Sequence, residues 1–332
     1  MVFRDPRSQT LVRTDAFERF KQLHAALESG RGFFEQKPPL RLAAVTLLTT
    51  DGEPAALVEA LREKDGELSG ALGWFSEVAP SVRLLIAGLL VKYGDEAAAF
   101  VEEVGRVQAM MRARSLRRGR TYEFLATLVL RRIRAGEAIR EADIDRFAAV
   151  YEEMKRHHWW LTGPEDFPAC AMLVGQPGDP RSIGESIEAI YQALRTDAGL
   201  RTGDPLQTAA NVLYLTGLKP VEIATRVKQL CAALKDGGQS VWQREYDEVA
   251  ALCFLALPVE LVVRTALEYR DRLQAELSWL GGPMAFTLGT GLAFVQLASR
   301  DETAANIGDI KALIDMQAIV SAQQAAAIAA SA

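Results

Sequence analysis

Between Phe167 and Leu234 the chain runs twice through one arrangement of apolar and polar positions. Phe167-Pro-Ala-Cys-Ala-Met-Leu-Val-Gly175 is almost wholly apolar, and a turn, Pro180 and a second stretch ending near Leu194 follow it. Gln207-Thr-Ala-Ala-Asn-Val-Leu-Tyr-Leu215 leads in the same way to a turn, Pro220 and a stretch ending near Leu234. In that last stretch Val227, Leu230 and Leu234 recur at helical spacing, so they form the buried stripe of an amphipathic helix. Arg226, Lys228 and Gln229 fall on the other face and are expected to point to solvent. Pro180 and Pro220 stand forty residues apart. Each falls at a first helical position, where proline loses no hydrogen bond. A helical pair that recurs at a fixed period is the mark of a repeat array.

The pattern extends in both directions. First helices, short and apolar on all sides, are expected to begin at Leu42, Leu84, Phe124, Pro168, Thr208 and Val249, in steps of 40 to 44 residues. A helix apolar all round belongs in an inner layer. Second helices are expected near Glu53, Asp95, Gly136, Asp179, Leu218 and Leu257, with polar faces such as Glu102, Glu103 and Arg106. Ahead of them, Phe17, Phe20, Leu23 and Leu27 predict a helix capped by Thr14 or Asp15 and stopped near Gly30. Its polar face of Glu18, Lys21 and Gln22 suits the end of an array. A seventh unit starts near Phe286, with a partner helix from about Glu302 to Ile328. No segment alternates like a strand, and no Pro/Gly/Ser-rich linker divides the chain.

The expected fold is therefore all-α: one domain over residues 1–332, built as a HEAT-like α-solenoid of six to seven helical pairs with a period of about 40 residues. Residues 1–30 form an N-terminal capping helix, 31–284 the helical-pair repeats and 285–332 a C-terminal capping unit. The same pattern also suits a closed, compact bundle.

Composition narrows the function classes. Hydrophobic residues are 49% and charged residues 24%, which is globular usage. A net charge of −5 argues against a surface adapted throughout to a nucleic-acid backbone. Cys170, Cys231 and Cys253 lie singly in apolar runs, which reads as buried free thiols in a reducing cytoplasm. The N-terminal residues are polar, and the apolar run from Met284 to Val295 is too short to span a bilayer. A soluble cytoplasmic protein is expected.

The most unusual stretch is His157-His-Trp-Trp-Leu-Thr-Gly-Pro-Glu-Asp-Phe-Pro168. His157 or His158 with Glu165 or Asp166, walled by Trp159 and Trp160, would make a polar and aromatic binding site. Adjacent helical residues point about 100° apart, so His157 and His158 cannot both face one ion. Glu153 and His157 share a face, but no second such pair completes a carboxylate metal site. The capping reading is simpler: histidines near a helix C-terminus, then Thr162 or Asp166 capping the next helix. Arg201-Thr-Gly-Asp-Pro205 repeats the Thr-Gly and a following Asp, as capping requires. No metal or cofactor is expected.

His158-Trp-Trp-Leu-Thr162, Glu165-Asp166-Phe167-Pro168 and the segment from Leu206 to Leu213 resemble the bacterial family catalogued as domain of unknown function 4003. The resemblance covers most of the chain. Trp159 and Trp160 depart from it, standing where other apolar residues are expected. The resemblance implies no activity.

A second candidate is basic. Arg112, Arg114, Arg117, Arg118, Arg120, Arg131, Arg132 and Arg134 crowd into 23 positions. They suit a phosphate-contacting ridge, or a loop neutralised by Glu102, Glu103, Glu137, Glu141, Asp143 and Asp145. Catalytic signatures such as His-Glu-x-x-His, Gly-x-Ser-x-Gly and the phosphate-cradling glycine loop do not occur. The expected function is a non-catalytic helical-repeat protein that binds a protein partner on its concave face. The alternative is a HEAT-like nucleic-acid-binding or DNA-glycosylase-type protein using Arg112–Arg120.

Overall fold

The computed structural model describes residues 15–32, 37–73, 78–158, 162–277 and 280–298, with His158 described by its backbone alone. Trp159, Trp160, Leu161 and the expected helix from Glu302 to Ile328 lie outside the described residues. Among the described residues the chain is all-helical, with fourteen α-helices and no strand. None is long and apolar enough to cross a membrane.

The helices come in pairs. The odd-numbered ones are α1 (Ala16–Ser29), α3 (Pro54–Leu72), α5 (Ala97–Ala113), α7 (Glu141–His158), α9 (Pro180–Thr196), α11 (Pro220–Asp236) and α13 (Val259–Glu276). Each of those with described burial carries one buried stripe, as α9 does with Ile183, Ile187, Ile190 and Leu194. The even-numbered ones are α2 (Lys37–Leu47), α4 (Pro80–Tyr93), α6 (Thr121–Ile133), α8 (Phe167–Val174), α10 (Asp204–Tyr214), α12 (Tyr246–Cys253) and α14 (Gly282–Ala298). These are sheathed on nearly all sides; every residue of α8 is buried. The all-round apolar pattern thus places the even helices inside and the amphipathic odd helices outside.

Element starts differ from the sequence reading by one to five residues. The inner helices begin one to five residues earlier than expected, because their first turns include residues ahead of the apolar run, such as Lys37 in α2 and Asp204 in α10. The largest shift outside is at α7, expected near Gly136 and found at Glu141. Ala135 and Gly136 adopt positive φ there and break the chain direction, and Asp143 then accepts from the Arg140 N–H to start the helix. Glu103, expected on a solvated face, is buried and accepts from the Ile139 N–H at 2.7 Å and from Arg106.

Arg226 is also not solvated. Its guanidinium donates to three carbonyls at the end of α12 and in the turn beyond it: Cys253, Leu255 and Leu257. The same device recurs twice. Arg146 on α7 holds the carbonyls of Val174, Gln176 and Gly178 after α8, and Arg19 on α1 holds those of Leu48, Thr50 and Gly52 after α2. Helix C-termini leave carbonyls unpaired, and a planar fork of donors satisfies several at once.

Neighbours in the chain are neighbours in space. The outer helices pack in sequence from α1 to α13, and the inner ones pair as α2 with α4, α6 with α8, α8 with α10, α10 with α12 and α12 with α14. Arg132 over the Tyr93 ring, at 4.6 Å, and the Arg131–Asp95 pair link α6 to the end of α4. The circuit then closes, because α14 packs on both α1 and α2. Asp15 receives Arg272 at 3.0 Å and the Tyr269 hydroxyl, while Gln296 accepts from the Ala16 N–H at 3.0 Å. Arg272 lies 4.0 Å from the Phe17 ring centre. Glu18 and Lys21, expected on a polar outer face, stay partly exposed there and pair with Arg272 and Glu276. An open solenoid keeps its first and last helices apart; here α1 and α14, the first and last described helices, touch.

Candidate functional site

Four successive inner helices are joined at their starts. Gly119, ahead of α6, leaves room for Phe167 at the start of α8; a Cβ there would stand 2.8 Å from the phenyl ring. Thr162 accepts from Gln207 of α10 at 2.9 Å. Gln243, ahead of α12, donates to the Thr202 carbonyl, and the Tyr246 hydroxyl accepts from the Arg201 N–H at 2.9 Å. These bonds cross 41 to 45 residues of sequence and, with the Gly119–Phe167 contact, join the starts of α6, α8, α10 and α12.

Three of these starts are built on a buried carboxylate that turns back on its own chain. Glu123 accepts from the Gly119 N–H at 2.9 Å, Asp166 from the Gly163 N–H at 3.0 Å and Glu245 from the Trp242 N–H at 2.8 Å. Short 3-10 turns, Pro164–Asp166 and Gln243–Glu245, set up the last two. Glu123 also takes Arg112 and Gln108, and Glu245 takes Arg244. Asp166 forms no ion pair among the described residues. Burial, opposed by the Gly163 N–H and reinforced by Glu165 and Asp204, pushes its pKa up to about 7. It is therefore a carboxyl that exchanges its proton near neutrality.

Its surroundings are aromatic. Phe167 meets Phe147 and Tyr151 edge-on, with ring centres 5.4 and 5.2 Å apart. Burial, helped by Asp166 and Glu165, pushes the Tyr151 hydroxyl up to about 12, and Tyr122 is raised by burial and the same two carboxyls. Arg117 acts on Tyr151 in the opposite sense. The Cys170 thiol is raised by burial and by Asp166, and it donates to the Phe147 carbonyl. A thiol held protonated in this way is a packing group and not a nucleophile. All three cysteines are free, with Cys231 only half-buried.

The residues singled out by sequence do not converge on one point. His157 shares with Glu153 the side of α7 that faces Gly184 of α9, whose added Cβ would lie 3.1 Å from Glu153 and 3.7 Å from the His157 ring. No hydrogen bond or ion pair joins His157 to Asp166 or Glu165. The His158 side chain, Trp159 and Trp160 lie outside what is described. Among the described residues no group of three His, Cys, Asp or Glu side chains is arranged to hold a metal.

The basic segment divides. Arg112 pairs with Glu123, Arg114 with Glu141 and Asp145, Arg131 with Asp95, and Arg134 with Glu137. Along α6, Arg131 stands about 16 Å beyond Arg120 at 1.5 Å per residue, so the eight do not form one ridge. Arg117, Arg118 and Arg120 stay exposed at the joined starts. Ser115 and Arg120 flank that loop at positive φ, which fixes its path.

Three residues of this face escaped the sequence reading. Trp242 is 57% exposed beside Arg244. Gln207 and Asn211 are buried one turn apart on α10, and neither polar atom of the Asn211 amide has a partner. Two amides four residues apart in an apolar run were the available signal. A shallow groove of about 1070 Å³ also runs between α11 and α13, where charges of both signs, among them Asp236, Glu260, Arg264 and Glu268, line an open surface.

No solved structure matches the chain. It is similar to a Bacillus subtilis (strain 168) protein described as "Uncharacterized protein YeaA", at 26% identity over 156 residues, which is 47% of this chain and 46% of the relative. The chain thus spans about half the length of that relative. The profile of the family described as "Protein of unknown function (DUF4003)" matches residues 17–325, which takes in the Asp166 turn, the arginine clamps and both ends of the contact circuit. The chain belongs to that family.

Proposed function

We propose that the fourteen helices are seven copies of one helical pair joined end to end, and that the chain is a non-catalytic protein that binds a protein partner where its inner helices start. The arginine clamp supports the repeat: Arg19, Arg146 and Arg226 hold carbonyls spaced two residues apart at the same point of three pairs. Closure at α14 sets this arrangement apart from the open HEAT-like arc and leaves the end of the array, in place of a concave flank, as the surface for a partner.

One observation carries the binding reading. A cross-stitched face presents Trp242, 57% exposed, beside Arg244 at the start of α12, and exposed Arg117 and Arg118 ahead of α6. Exposed tryptophan and arginine on a fixed scaffold are the residue types that dominate protein–protein hot spots. Exposed Glu165 and Asp204 share the face and would repel a phosphate backbone, and four arginines of the basic segment are committed to carboxylates. Both facts favour a protein over nucleic acid. The free thiols Cys170, Cys231 and Cys253 suit the reducing cytoplasm.

The test compares the wild-type chain with Trp242→Ala and with the Arg117→Glu, Arg118→Glu double variant in crosslinked capture from native cell extract. A partner recovered by the first and lost from both variants, at unchanged thermal stability, supports the reading. Equal capture by all three removes it. A low-salt DNA mobility shift abolished by the double variant would replace the protein partner with nucleic acid.

A further inference from the structure

The start of α2 holds a buried cation that the fold leaves without a hydrogen bond. Arg41 is 5% exposed, and no hydrogen bond or ion pair to it is formed among the described residues. Its Nε is sealed from solvent without an acceptor. Burial depresses its pKa, and only Glu28 opposes that. Charges taken out of water are normally paired, because an unpaired one is among the most unfavourable groups a core can hold. The part-buried forks of Arg19, Arg146 and Arg226 each close on three carbonyls. Arg41, more deeply buried, closes on none among the described residues.

The groups around it add up to an unfilled anion position. Glu28 is already engaged by Lys37 at 3.1 Å. His24, also 5% exposed, stacks on Phe20 with ring centres 5.7 Å apart, and its sealed Nε2 stands 3.9 Å from Glu28 with no hydrogen bond. Burial, with Arg41 and Lys37 acting in the same direction, lowers the His24 pKa against the pull of Glu28, so the ring is neutral at pH 7. Two cations then face one carboxylate, leaving a net positive charge. Side chains on a helix lean toward its N-terminus, so the Arg41 guanidinium points back to the first turn of α2, where Lys37 stands half-exposed. Pro38 and Pro39 remove two N–H groups from that turn. Donors to a ligand here are side chains, with the helix's positive end adding to their field.

We propose that this position binds a small oxyanion, the carboxylate or phosphate group of a free small molecule, held by the Arg41 guanidinium with Lys37 at its mouth and His24 alongside. A planar guanidinium gives two parallel donors to such a group and recognises it through both charge and shape. The site lies at α1 and α2, separate from the face built by α6 to α12, so it does not rest on the partner reading above.

Thermal unfolding of the full chain tests it, in sodium phosphate, in sodium acetate and in sodium chloride at equal ionic strength. The wild-type chain should show a saturable rise in Tm with phosphate or with acetate beyond chloride, and which of the two acts identifies the group carried by the ligand. Arg41→Met should abolish that rise while unfolding, without anion, at or above the wild-type temperature, because it removes an unpaired buried charge. Lys37→Gln, at the surface, should keep the fold and weaken the effective anion about tenfold. The proposal is overturned if neither oxyanion shifts Tm beyond chloride. It is equally overturned if Arg41→Met keeps the saturable rise. Should Arg41→Met fail to fold, the Lys37→Gln titration decides, and an unchanged midpoint there overturns the site.

Discussion

The starts of α8 and α12 are two renderings of one turn. In each, a 3-10 turn brings a buried carboxylate back to the N–H three residues earlier. In each, an aromatic residue follows at once: Phe167 in one, Tyr246 in the other. The difference lies in what each is given. Glu245 has Arg244, and Tyr246 has a hydroxyl that accepts from Arg201. Asp166 has no cation, and Phe167 is held by an apolar slot between Phe147, Tyr151 and Gly119. One copy is paired with a cation; the other keeps its proton to about pH 7. A shared backbone turn therefore does not fix the charge state of the residue that makes it. The neighbouring side chains do.

Four measurements break or sharpen that comparison. The largest effect is expected from Asp166→Asn. An acid whose folded pKa is raised is penalised only where the unfolded chain ionises first. The penalty is absent below the ordinary 3.8, grows as pH rises to about 7 and stays constant above. The variant should equal wild type near pH 4 and exceed it by about 4 kcal/mol at pH 8, read from urea unfolding across that range. At α12 the sign reverses: Glu245→Ala strands the Trp242 N–H and Arg244, and should lower stability by about 2 kcal/mol at pH 7 in the same urea assay.

The apolar slot is tested by Gly119→Ala. A methyl group 2.8 Å from the Phe167 ring forces α6 and α8 apart, so a loss of about 1–2 kcal/mol and faster amide exchange at the start of α8 are expected. The smallest effect belongs to Asp204→Asn, which removes one of the two carboxyls that raise Asp166. The Asp166 carboxyl titration, followed by carbon NMR, should move down by a fraction of a unit, worth a few tenths of a kcal/mol at pH 8. An upward move would mean that Asp204 does not act on Asp166 through its charge.

Much of the helical layout was legible in the sequence because it is local. Apolar runs with no polar face marked the inner helices, and Pro54, Pro180 and Pro220 marked outer starts, since both signals depend on residues within a few positions. What stayed hidden was long-range or stereochemical. Arg226 sits on the polar face of its helix by periodicity, and nothing in that face reveals that the next turn will bring three carbonyls to it. Glu103 and Arg41 were hidden for the same reason. Asp15 and Arg272 lie 257 residues apart, so no local pattern predicts their contact. At the candidate site, the Thr-Gly and Asp of the turn were visible as capping chemistry. The loss of a cation beside Asp166 was not, because it depends on which neighbours the fold supplies. His157 and Asp166 looked like partners only because nine residues separate them, whereas the helix carries His157 to Gly184.

Contact between α14 and α1 bears on how such a chain changes over time. A string of modules open at both ends can lengthen or shorten by whole modules, since a duplicate added at an end only extends it. Where α1 and α14 touch, a helical pair added between them has no gap to enter and one removed leaves a breach, so the number of pairs in between is held by that contact. A chain shortened by one helical pair should therefore lose the Asp15–Arg272 contact and unfold at a lower temperature.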